Sequence, residues 1–155
     1  MLDFLIVVGA KYLIGLPIFV LFLYFVLVNK KKQWNFALLA ALSLPLAYGV
    51  GLVLGQIYYN ARPFVVEGVA PLVAHAANNG MPSDHMLFAS TLAMLGVYCN
   101  RRLGIFLWIV ALLVGVSRVL AGVHHAIDIF AGALIAAVVV YGVDLLLQGM
   151  RWYRR

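Results

Sequence analysis

The sequence predicts an all-α membrane protein, a bundle of about five transmembrane helices with its N-terminus outside and its C-terminus in the cytoplasm. Three observations predict this class. Of the 155 residues, 66% are apolar and only 10% charged, where soluble domains carry about 25% charged residues. Five apolar runs recur, near residues 5–28, 34–58, 83–99, 103–122 and 125–147, and a bilayer core of about 30 Å needs roughly 20 such residues per helix. Eight of the eleven basic residues fall in three short groups between or after these runs: Lys30, Lys31 and Lys32; Arg101 and Arg102; Arg151, Arg154 and Arg155. The length fits one domain spanning residues 1–155. The net charge of +6 is an orientation signal rather than a surface for nucleic acid, because the cations sit where topology rules place them.

Taken in order, residues 1–8 have Asp3 instead of a positive n-region, which fits a retained first helix better than a signal peptide. The lysine triplet after it puts the first hairpin in the cytoplasm, the arginine pair does so for the second, and the last group fixes the C-terminus there. The second run carries Gly49, Gly51 and Gly55, and the last two have the small-xxx-small spacing that lets another helix approach closely. Residues 61–81 form an interfacial loop with at most a turn of helix, expected to line or gate a site. The third run is short, so it starts within the outer interface or lies close to the membrane normal. The lone Cys99 has no partner for an internal disulfide. This topology puts Arg62, the loop, Ser83, Asp84, His85, Arg118, His124 and Asp128 on the outer side.

These residues carry the chemistry. Ser83 follows Pro82 at the start of a helical run, a good N-cap position with Asp84 and His85 in the first turn. Capping alone explains Ser83 and Asp84; equally, a helix N-terminus can hold phosphate oxygens on its free N–H groups. His85 beside such an anion can give a proton to a leaving oxygen. His124 and Asp128 are four apart, so on a helix they share a face, and the carboxylate can fix the tautomer and leave the other ring nitrogen free to attack or accept a proton. A purely structural His–Asp pair has equal weight on spacing alone. His125 points about 100° away and tunes or packs. Gly122 supplies a turn that lets Arg118 and His124 face one pocket. Either arginine alone is explained as a head-group anchor. Two on the outer face, where few positive charges belong, call for another reason, and guanidinium forks on phosphate oxygens supply it.

The residues resemble the type 2 phosphatidic acid phosphatases, the PAP2 superfamily, whose sites also look like those of vanadium haloperoxidases. That family's motifs are Lys, six residues, Arg-Pro; then Pro-Ser-Gly-His; then Ser-Arg, five residues, His, three residues, Asp. This chain has Arg62-Pro63, Pro82-Ser83-Asp84-His85, and Ser117-Arg118 with His124 and Asp128, and departs from the pattern at Gly55, where the family has Lys, and at Asp84. The Arg-Pro-Phe and Pro-Ser-Asp-His wording looks most like the bacterial undecaprenyl-diphosphatase branch, similar to bacitracin-resistance phosphatases. The resemblance implies hydrolysis of the terminal phosphate of a lipid diphosphate through a phosphohistidine on His124. Asp128 would orient that ring and His85 would be general acid, with Arg62, Ser83, Asp84 and Arg118 on the substrate. It implies a polyprenyl or glycerolipid phosphate substrate taken from the membrane lipids, no metal and no cofactor, and a plasma (inner) membrane site facing the extracytoplasmic side. Two rivals remain at this point: an intramembrane zinc hydrolase with His85, His124, His125 and Asp128 as ligands, and a transporter of small anions or lipids built on the same cluster.

Overall fold

The computed structural model describes residues 1–150 and Tyr153. Seven helices follow one another among these: α1 (Leu2–Lys11), α2 (Gly15–Leu27), α3 (Lys30–Ile57), α4 (Pro63–Glu67), α5 (Asp84–Cys99), α6 (Arg101–Leu120) and α7 (Ala126–Gln148). The central one is α5, which packs against α6, α7, α3 and α2. It has no charge after its first turn and is apolar on nearly every side, the pattern of a helix surrounded by others. Its small residues Ala89, Ser90, Ala93 and Gly96 are buried and let those neighbours approach. Large apolar side chains point outward instead, including Ile105, Ile109, Leu112 and Val116 of α6. An apolar exterior of this kind suits lipid, not water.

By length and apolarity α3, α6 and α7 can each cross a membrane, and α1 with α2 can do so as a pair bent by 46°. The uninterrupted first helix expected at residues 5–28 is therefore corrected to two. The reason is Pro17, whose ring would collide with the Leu13 carbonyl in a continuous helix; that carbonyl accepts the Leu16 N–H instead, at 3.0 Å. At 16 residues, α5 is only about 24 Å long, in keeping with the short third run.

Two helices start earlier than their apolar runs, because asparagines cap them. Asn29 accepts the Lys32 N–H at 3.0 Å and Asn100 accepts those of Arg102 and Leu103, so the lysine triplet and the arginine pair lie in first helical turns. Both helices run from those basic ends toward Arg62 and Arg118, and α5 and α7 run back. The third basic group, Arg151, Arg154 and Arg155, lies outside the described residues. The small-residue spacing in α3 is used as expected: a Cβ at Gly51 would stand 2.8 Å from Leu87 of α5.

Candidate active site

The end of α6 and the start of α7 build the centre. Beyond Leu120 the chain turns through Gly122 at φ +72°, a conformation that glycine adopts without penalty. Val123 and His124 follow, and α7 begins at Ala126, with His125 as its N-cap. Asp128 reaches back so that its Oδ2 accepts the His125 N–H at 2.8 Å, one half of a capping box. The expectation that His124 and Asp128 share a helical face is thus corrected, since His124 precedes the helix. The contact itself survives by another route: His124 Nδ1 lies 3.4 Å from Asp128 Oδ2, with both side chains buried.

Two guanidinium groups meet the other ring nitrogen. Arg62 Nη1 is 3.1 Å from His124 Nε2 and Arg118 Nη2 is 3.4 Å from it. Guanidinium nitrogens only donate. Nε2 is therefore the accepting nitrogen, and Nδ1 carries the proton toward the carboxylate. Burial holds the His124 pKa below its ordinary value; the Asp128 hydrogen bond opposes this and the charges of Arg62 and Arg118 add to it. The result is a neutral imidazole at neutral pH, its lone pair aimed among cations.

Ser83 is the N-cap of α5 by backbone conformation, yet its hydroxyl makes no cap bond. Its N–H donates to the Asp128 carbonyl at 3.1 Å, which locks the start of α5 to the start of α7. Among the described residues, Ser83 Oγ and Arg118 Nε are buried without a hydrogen-bond partner; the other two such atoms are hydroxyls inside α3 and α5, of Ser43 and Ser90. An unpaired buried polar group costs about 1–3 kcal/mol. The unpaired Nε of Arg118 itself and the unpaired Ser83 hydroxyl leave two donors for a tetrahedral anion. His85 is half-buried and within electrostatic reach of Arg118, His124 and His75. Asp84 is exposed, and its charge is felt by both Arg62 and Arg118. All seven site residues expected from the sequence therefore gather at one end of the bundle.

The sequence profile of the PAP2 superfamily matches residues 36–152. The chain belongs to the PAP2 superfamily. Among its relatives it is 34% identical to the undecaprenyl-diphosphatase BcrC of Bacillus subtilis (strain 168) over 91 residues, 59% of this chain and 47% of that one. To the bacitracin transport permease protein BcrC of Bacillus licheniformis it is 32% identical, over 70% of this chain and 54% of that one. To the putative undecaprenyl-diphosphatase YbjG of Escherichia coli (strain K12) it is 31% identical, over 74% and 63%. The matches thus span between about half and two-thirds of these relatives' length. A solved PAP2-type phosphatidylglycerolphosphate phosphatase from Bacillus subtilis shares the fold, with a TM-score of 0.70 over 97% of this chain and 76% of that one at 24% identity.

The PAP2 motif residues do not stand alone, and the residues that hold them escaped the sequence reading. Arg62 is clamped on three sides: Nε donates to Asn78 Oδ1 at 3.0 Å, Nη2 to the Asn79 carbonyl at 3.0 Å and Nη1 to the Val123 carbonyl at 2.8 Å. Arg118 Nη1 donates to the Ala10 carbonyl at 3.3 Å. Asn60 Nδ2 donates to Asp128 Oδ1 at 2.7 Å. The Asn79 side chain ties the loop to the end of α3 through the carbonyls of Gly55 and Tyr58. Three asparagines at 60, 78 and 79 in so apolar a chain were the available signal. Position 55, where the family pattern has Lys, is closed, since a Cβ there would stand 2.9 Å from the Met81 carbonyl oxygen. His125 packs, with Nε2 3.1 Å from the Ala61 carbonyl. Among the described residues no three His, Cys, Asp or Glu side chains are grouped as metal ligands.

Proposed function

We propose that this chain is an integral membrane phosphatase that removes the terminal phosphate of a lipid diphosphate, undecaprenyl diphosphate in particular. One observation carries the reading: His124 is held at Nδ1 by a carboxylate and presents Nε2 to two guanidinium groups. That is the arrangement an in-line attack on phosphorus needs, with the nucleophile activated and the charge it creates matched in advance. The lipid is assigned from the relatives named for undecaprenyl diphosphate.

In the proposed reaction His124 Nε2 attacks the terminal phosphorus, and the bond to the bridging oxygen breaks. His85, which takes a proton from solvent once the phosphate dianion lies beside it, gives that oxygen its proton. Water then loses a proton to His85 and attacks the phosphohistidine, which releases inorganic phosphate and restores Nε2. Arg62, Arg118, the Ser83 hydroxyl and the N–H groups at the start of α5 bind the equatorial oxygens, where the transition state spreads its charge. Asp84, at the exposed rim, tempers the field of the arginines on the incoming headgroup. The basic first turns of α3 and α6 lie at the far ends of their helices from this pocket. By the positive-inside rule the site then faces the extracytoplasmic side of the plasma membrane, within reach of a diphosphate whose tail stays in lipid.

Phosphate release by protein purified in detergent tests the reading, with undecaprenyl diphosphate, phosphatidylglycerophosphate and phosphatidic acid offered side by side. The expected result is fastest release from the diphosphate. His124→Ala should abolish it, and His85→Ala should lower it about 10²–10⁴-fold, the usual worth of general acid help. Release that survives His124→Ala would overturn the mechanism, and no release from any of the three would return the chain to the transporter reading.

A further inference from the structure

We propose that His75 is a third cationic group of the phosphate pocket, taking a proton from solvent as the substrate arrives and binding a phosphoryl oxygen through Nε2. The inference rests on the phosphatase reading above and adds a residue that lies outside the three motifs. Its ring stands edge-on to that of His124, with centroids 6.0 Å apart and planes at 81°.

The loop that carries His75 is pinned on both sides of it. Before it, Leu72 donates to the Ala121 carbonyl at 3.1 Å, and Val73 is buried with Ile6, Ala10, Ala121 and Val123. After it come Asn78 and Asn79, with their bonds to Arg62 and to the end of α3. The ring is not what holds the loop in place, because its one hydrogen bond is from Nδ1 to the carbonyl of the next residue, Ala76, at 3.3 Å. A carbonyl only accepts, so Nδ1 carries the proton of the neutral ring. Nε2 is left bare and, among the described residues, without a partner.

The charged and titratable groups around it are Arg62 from the loop start, Arg118 from α6, His124 from the turn before α7 and His85 from α5. Burial and the nearby arginines disfavour a charge on His75. A bound phosphate dianion reverses that balance, because an opposite charge within about 4–6 Å favours the charged imidazole. Once protonated, Nε2–H becomes a donor to the anion. Position 55 cannot play this part, since a side chain there would run into the Met81 carbonyl.

Inhibition by orthovanadate, a tetrahedral phosphate mimic, tests this with the full chain in detergent. The measurement is the ratio of the inhibition constant of His75→Ala to that of the wild type, because the ratio cancels the titration of vanadate itself. Loss of a hydrogen bond to a charged group should make it about 10 or more at pH 6. It should fall toward one by pH 8.5, where the wild-type ring no longer holds its proton. His75→Gln, which keeps the bulk without the charge, should match His75→Ala, while His75→Lys should bind tightly at both pH values. A ratio within about twofold of one at pH 6, or the same at both pH values, overturns the inference while leaving the phosphatase reading intact. A wild type that neither hydrolyses lipid phosphates nor binds vanadate overturns both.

Discussion

The carbonyl oxygen of Ala10 accepts a hydrogen bond from Arg118 Nη1 at 3.3 Å, across 108 positions of sequence. In a continuous first helix that oxygen would take the Ile14 N–H. The break before Pro17 frees it, and so the kink in the first span and the placement of Arg118 are one structural fact.

The seat of α1 on α6 depends on Gly9, where a Cβ would stand 2.1 Å from Ser117 Oγ. Gly9→Ala should push α1 outward and loosen Arg118. A misplacement on the order of 1 Å costs up to roughly 10²-fold in rate, so kcat/KM for the lipid diphosphate is expected to fall about 10- to 100-fold. Adding Ser117→Gly should recover much of the loss. Unchanged kinetics in the single variant would show that the carbonyl contact is dispensable.

Ser83 separates a capping role from a binding one. Replacing a true N-cap serine by alanine costs about 0.5–2 kcal/mol of stability, but this hydroxyl is buried and makes no bond. Ser83→Ala should therefore leave the melting temperature unchanged or slightly raised, while KM rises about tenfold through loss of a bond to a charged oxygen. A marked drop in melting temperature would assign the hydroxyl to folding.

Asn60 holds the carboxylate that meets the His124 ring, through the 2.7 Å bond to Asp128 Oδ1. Asn60→Ala should lower kcat about tenfold with KM little changed, since the loss falls on the orientation of His124 and not on substrate contacts. Asn60→Asp should be worse, because two carboxylates so close cannot both stay ionised. Steady-state kinetics of the two variants decide this, and an Asn60→Asp enzyme as active as the wild type would contradict it.

The pH profile follows from the sign of one shift. Burial first, and then Arg62 and Arg118, hold His124 below its ordinary 6.5, against the pull of Asp128. A lowered pKa keeps the ring neutral to more acid pH, so the acid limb of kcat/KM that belongs to His124 should lie below pH 6.5. NMR titration of the His124 ring should give a midpoint on the same side. Arg62→Gln removes a positive neighbour and should move that midpoint up, and Asp128→Asn should move it down. Shifts in the reverse sense would break the electrostatic account.

Most of the helices and the residues that gather at the candidate site were legible in the sequence for a local reason. Apolar runs and the Gly122 turn act over a few residues, and the chemistry of phosphate transfer asks for specific side chains whatever surrounds them. Local signals go further than the apolar runs: Asn29 and Asn100 cap two helices ahead of those runs, and Pro17 marks the break in the first span.

What the sequence by itself determined about this protein is its all-α, membrane-suited character, the gathering of Arg62, Ser83, His85, Arg118, His124 and Asp128 at one end of the bundle, and the motif they spell. Tertiary structure alone decided which nitrogen of His124 meets the arginines, that the His124–Asp128 contact forms outside a helix, and that Ala10, Asn60, Asn78 and Asn79 do the holding. These are contacts between residues up to 108 positions apart. Such contacts arise from how whole helices pack and from where a loop returns, and no pattern of neighbouring residues encodes them.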